Sequence, residues 1–240
     1  LWSDECPNLF TLVLHCGDEC IAIPVGFRRV EIREGILYFN GQKIKLRGVN
    51  RHDSHPHLGS ATPLDHMIED IMILKRHNVN CVRTSHYPND PRFPALCDEY
   101  GLYLIDENDI ETHGFAFAGD WDQLTDDPAW EEAFVDRIRR MYERDKNHAS
   151  VLMWSLGNEF GVGCNQRKMS EYLRGRDPHC IVHCEDASRR AIKRLLDEFK
   201  DKTDAEIGDS LRCDYIDVES RMYPVPEEIQ SLYFDRTVFN

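Results

Sequence analysis

The sequence predicts an α/β protein: a (β/α)8 barrel that stops after about six strands and is preceded by the last strands of a β-sandwich. Three observations point there. From Lys43 onward, β-branched apolar runs alternate with amphipathic helical patterns. All six runs end in a polar cluster, and no glycine-rich phosphate loop follows any of them. Alternation implies a parallel sheet with right-handed crossovers. A doubly wound sheet gathers ligand contacts at one switch point, whereas a barrel uses the carboxyl ends of many strands. Polar residues after every run therefore favour the barrel.

Residues 1–35 read as all-β and as one unit, with residues 36–240 as the partial barrel. Phe10–His15 and Ile21–Ile32 are β-rich runs divided by the turn pair Gly17-Asp18. A lone hairpin is marginal, so these strands are expected to belong to a larger sandwich. Asn40-Gly41 between apolar runs is a strong hairpin signal.

The barrel strands are expected at Ile44–Val49, Val79–Thr84, Leu102–Ile105, Val151–Leu156, Cys180–Cys184 and Tyr215–Val218. Helical patterns fall at about Asp65–His77, Pro91–Tyr100, Ala129–Lys146, Asn165–Arg174 and Ser188–Phe199. Pro63 and Pro128 mark helix starts, and Gly101 marks a stop.

The 240 residues suffice for a sizeable core, and a formal charge of −14 argues against nucleic-acid or anionic-membrane partners. No run approaches the length of a membrane span. Nine cysteines without any CxxC fit reduced thiols in a cytoplasmic protein better than a disulfide framework or a structural zinc site. The chain opens without Met on a near-strand, like a piece of something longer.

Several strand ends carry groups suited to catalysis. "WSLGNEF" delivers Asn158 and Glu159 from a buried run. Glu159 is either a carboxylate stabilising the next helix N-terminus or a general acid at a barrel mouth. In "NDIETHG", Glu111 and His113 are two apart, so in an extended segment they share a face. With a further carboxylate they could hold Mg²⁺; otherwise they are loop residues bonding locally. His52 and His86 follow strands and suit a polar substrate. Arg83 lies within a strand, where a buried cation demands an acidic partner nearby.

At this point "RGVNRHDSHP", "NCVRTSHYPNDPRF", "CDEYGLYLIDENDIETHG", "LTDDPAW", "RDKNHASVLMWSLGNE" and "MYP" resemble the catalytic barrel of large-chain β-galactosidases, glycoside hydrolase family two. The similarity runs over nearly all of residues 1–225, and the first 35 resemble the end of the family's immunoglobulin-like domain. The resemblance implies that Glu159 is the acid/base and joins Glu111 and His113 around Mg²⁺, with Na⁺ a further candidate. It gives Asn158 a sugar hydroxyl, His52 and His86 galactosyl contacts, Arg83 the orientation of the nucleophile, and Tyr223 a place at the sixth strand's mouth.

Departures are Phe160 and Val162 after the acid/base and Asn108 before the metal motif. Nothing matches the nucleophilic Glu expected on a seventh strand; the contexts of Glu185 and Glu219 differ from it. The expectation is a retaining β-galactosidase acting on galactosides such as lactose, with this piece inactive alone. Its open strand edges imply a homo-oligomer or completion by the rest of the parent chain. The rivals are a non-catalytic sugar-binding module and a β-glucuronidase-like hydrolase.

Overall fold

The computed structural model describes residues 1–188 and 214–225. It opens with a hairpin, β1 (Phe10–Cys16) against β2 (Glu19–Val25), turning at Gly17 with φ 59°. Leu12, Leu14, Ile21 and Ile23 stay exposed on it. The second β-rich run divides at residues 26–29. Its later part becomes β3 (Val30–Arg33), which pairs with β4 (Ile36–Phe39), itself paired with β5 (Gln42–Lys43). This hairpin therefore crosses residue 35, where the sequence suggested a boundary. The Asn40-Gly41 turn forms as expected, both residues at positive φ (51° and 79°), which matches the twist of the flanking strands.

Five parallel strands follow in consecutive order: β6 (Gly48–Arg51), β7 (Cys81–Thr84), β8 (Tyr103–Glu107), β9 (Val151–Ser155) and β10 (Val182–His183). A parallel bridge from His183 to Val218 adds the beginning of a sixth. The first strand starts later than the apolar run Ile44–Val49 suggests. Asn80 explains this: its amide accepts the Arg47 N–H and donates to the Lys45 carbonyl, so part of that stretch bonds to a side chain where a regular ladder would bond to backbone.

The helices are α1 (Leu64–Arg76), α2 (Arg92–Tyr100), a short α3 (Gly114–Ala118), α4 (Glu131–Asp145) and α5 (Cys164–Arg176). In α1, Met67 and Ile71 are buried four apart, with Asp65 in the first turn and Lys75 and Arg76 in the last, as the helix dipole favours. Gly101 ends α2 at φ 76°, and a Cβ there would lie 2.4 Å from the Asp4 carbonyl oxygen. Sequence periodicity did not indicate α3. A 3-10 turn at Pro128–Trp130, capped by Asp127, precedes α4. The helix expected over Ser188–Phe199 lies almost wholly outside the described residues.

Side-chain alternation sorts the sheet into two faces. Val82, Leu104, Trp154 and Val182 join the helices in one core. Cys81, Tyr103, Met153 and Ile181 pack with Trp2 and Phe39 in a second core. Trp2 is fully buried, stands edge-on to Phe39 and Tyr103, and donates its indole N–H to the Asp98 carbonyl (2.7 Å). The N-terminal segment thus caps one end of the strands. Continuing the second alternation to the carboxyl end gives Arg83, Glu107, Ser155 and His183, all polar. One face changes from apolar to polar along its length, as a barrel with a site at its carboxyl end requires.

Candidate active site

Glu107 lies at the centre of this polar end. It is fully buried and accepts Arg83 Nε at 2.6 Å, Arg83 NH2 at 2.9 Å, His86 Nδ1 at 2.8 Å and Ser155 Oγ at 2.7 Å. Burial pushes its carboxyl up, but the bonds from His86, Arg83 and Ser155 outweigh this and hold it below the ordinary glutamate value. The acidic partner demanded by Arg83 is thus Glu107, on the adjacent strand. The guanidinium also donates to Asn158 Oδ1 at 3.0 Å, and this ties the second, third and fourth strand ends together.

His52 stands edge-on to His86, their rings 5.3 Å apart, and its Nδ1 lies 3.4 Å from the Tyr87 hydroxyl. The loops carrying both histidines are fastened by Arg51. It donates to Asp53, Asp70 and Asn89 and covers the Phe93 ring, while Asp53 accepts the Asp90 N–H.

Glu159 follows Asn158 at φ 44°, its carboxylate 3.2 Å from His113 Nδ1. Its backbone oxygen accepts the Trp121 indole N–H at 3.0 Å, and the Trp121 ring stacks on His113 at 5.3 Å. One ligand atom each from Glu111, His113 and Glu159 lies within 4.8 Å of the others, a spacing that suits donors around one hard cation. The two carboxylates and one imidazole fit Mg²⁺ or Na⁺ in chemistry. Among the described residues this is the one such cluster.

Tyr223 stands apart. It is 88% exposed at φ 52° and makes no hydrogen bond with Arg83, Asn158 or Glu159. The neighbouring Met222 N–H is held by Glu185 Oε1 at 3.2 Å. Glu185 is buried and Glu219 exposed. Phe160 is fully buried in the helix-side core, near Phe134. Asn108 is buried as well, its amide donating to the Leu156 carbonyl. Sequence reading missed Glu107, Ser155, His183 and Trp121. The first three were signalled by alternation across neighbouring strands; Trp121 carried no signal.

Comparison with known proteins settles the family. Residues 30–236 match the family model for glycosyl hydrolases family 2, TIM barrel domain. The chain belongs to this family. It is 49% identical over 192 residues to a β-galactosidase of Vibrio cholerae and 46% identical over 191 residues to one of Pectobacterium atrosepticum, each match covering 77% of the chain. The chain spans 18% of the length of those relatives. Among solved structures, a β-glycosidase from Bacteroides vulgatus superposes with TM-score 0.65 at 30% identity, over 77% of this chain and 24% of that one. A β-D-glucuronidase of Dictyoglomus thermophilum superposes with TM-score 0.64 at 23% identity, over 78% of this chain and 34% of that one, a likeness of fold.

Proposed function

We infer that these residues form part of the catalytic site of a retaining β-galactosidase. The observation that carries this is the meeting of Glu111, His113 and Glu159 beside Asn158 at the end of the fourth barrel strand. Glu159 protonates the glycosidic oxygen as the bond to the leaving group breaks. A second carboxylate attacks the anomeric carbon, and Glu159 then returns as base to activate water. No sequence context in this chain matches that nucleophile, so the 240 residues alone are expected to show no turnover.

Arg83, through Asn158, holds the amide that meets a sugar hydroxyl, and His52 and His86 supply further hydroxyl partners. Tyr223 joins them only if its exposed segment turns toward the mouth. Glu111, His113 and Glu159 would hold Mg²⁺, with Na⁺ an alternative, and the cation would add fixed positive charge beside the sugar. The substrate is a β-galactoside such as lactose, and the partners are a second copy or the remainder of a longer chain. A cytoplasmic location fits the eight described cysteines, all free thiols. Among the described residues no helix is long and apolar enough to cross a membrane.

The galactosidase reading is favoured over a glucuronidase because the galactosidase relatives are 46–49% identical, against 23% for the Dictyoglomus enzyme. The test is a chimera in which this segment replaces its counterpart in the Vibrio cholerae β-galactosidase. Nitrophenyl β-galactoside should be hydrolysed in preference to the glucuronide. A folded chimera that prefers the glucuronide would refute the reading, and one that binds galactosides without turnover would favour a binding module.

A further inference from the structure

The hydrogen bonds around Glu107 have only one consistent direction. A carboxylate is acceptor-only, so every group that meets it brings the hydrogen. Ser155 donates its single hydroxyl hydrogen to Glu107 Oε2 at 2.7 Å. Its oxygen can then only accept from His183 Nδ1, 3.0 Å away. His183 therefore carries a hydrogen on Nδ1. Burial pushes this imidazole down to about 4, so it is neutral near neutral pH, and its Nε2 lone pair accepts from Ser220 Oγ at 2.9 Å. Three hydrogens in series, from Ser220, His183 and Ser155, all point toward Glu107. The ladder supports this: Glu107 pairs with Ser155, and Ser155 with His183, so the three residues share one level of the sheet.

The same logic fixes the other side. His86 donates from Nδ1 to Glu107 Oε1 at 2.8 Å, which fixes the ring's orientation and leaves Nε2 as the ring nitrogen for a sugar hydroxyl. Arg83, gripped by both carboxylate oxygens, donates its second NH2 hydrogen to Asn158 Oδ1, which leaves the Asn158 Nδ2 hydrogens to be donated elsewhere.

We propose that Glu107 is the positioning residue of the saccharide site: it holds His86 by Nδ1 so that Nε2 meets a sugar hydroxyl, it sets Asn158 as a donor through Arg83, and the Ser220–His183–Ser155 chain holds it in place. The functional meaning rests on the glycosidase reading above; the hydrogen-bond chain does not.

The test is ¹⁵N–¹H correlation of the imidazoles in the 240-residue chain. His183 should show a single tautomer, with a pyrrole-type Nδ1 and a pyridine-type Nε2, and His86 should show a pyrrole-type Nδ1. Ser155→Ala should abolish the single-tautomer pattern at His183 and leave His86 unchanged, and Ser155→Thr should restore it. Glu107→Gln should shift the Nδ1 signals of both rings; if that variant does not fold, the Ser155 pair decides. An Nε2–H tautomer at His183 in the unaltered chain, or a His183 pattern unmoved by Ser155→Ala, would overturn the proposal. A failed galactoside assay would leave these signals as they are, so the two readings fail separately.

Discussion

Replacing Arg83 with Met keeps the length and apolar stem of the side chain and removes the guanidinium. Glu107, fully buried, would lose two of its four donors, and Asn158 Oδ1 would lose its bond as well. Breaking a buried ion pair by deleting one partner costs about 3–5 kcal/mol, because the remaining charge is left uncompensated. The sign of the pH dependence also changes. In the unaltered chain the Glu107 carboxyl lies below its ordinary value, so its contribution is complete above that value and is lost on acidification through the folded-state value. Without Arg83, burial outweighs the bonds that remain and raises the carboxyl, so the variant is favoured in acid and weakens as pH rises. Urea unfolding followed by tryptophan fluorescence should therefore show a larger loss at about pH 8 than at about pH 5. A loss below about 1 kcal/mol, or one that is equal at both pH values, would refute the uncompensated-charge reasoning.

Trp2→Ala removes a fully buried ring and its bond to Asp98, and should cost about 3–5 kcal/mol in the same unfolding assay. Asp106, on the other face of the third strand, is pushed well above its ordinary value by burial and by the Asp145 carboxylate, which Arg144 grips with two nitrogens. A raised acid stabilises most at low pH and loses that contribution as pH rises, so Asp106→Asn should raise the melting temperature more at about pH 8 than at about pH 5. Equal shifts at the two pH values would contradict this. Glu111→Gln should weaken binding of Mn²⁺, used as a paramagnetic Mg²⁺ probe, by at least about tenfold, while Glu219→Gln should not. Equal affinity in both variants would remove Glu111 from the cation site.

The strand order and most of the helices were legible in the sequence because buried parallel strands read as apolar runs and helices as 3.6-residue periods. Less was legible where a side chain took over a backbone role. Asn80 bonds the chain ahead of the first barrel strand, and this shortened the strand that the run Ile44–Val49 suggested. Glu159 and its companions Glu111 and His113 stood out as polar groups at strand ends. Glu107 sat in plain view within "IDEN", yet its meaning depends on a register that sequence does not print. Only when the third strand lies between the second and fourth does one carboxylate face Arg83, His86 and Ser155 together. The burial of Phe160 is of the same kind: it follows Glu159 directly, yet the local backbone turns it into the helix-side core.

Glu159 as the acid that protonates the leaving oxygen is the claim on which the rest depends. The most direct measurement is Glu159→Gln in the Vibrio cholerae chimera, assayed on lactose and on a galactoside with an activated nitrophenyl leaving group. Loss of a general acid costs about 10²–10⁴-fold where the leaving group needs a proton. The predicted result is a loss in that range on lactose and a much smaller loss in the bond-breaking step with the activated substrate. Equal losses on both substrates, or full activity on lactose, would contradict it.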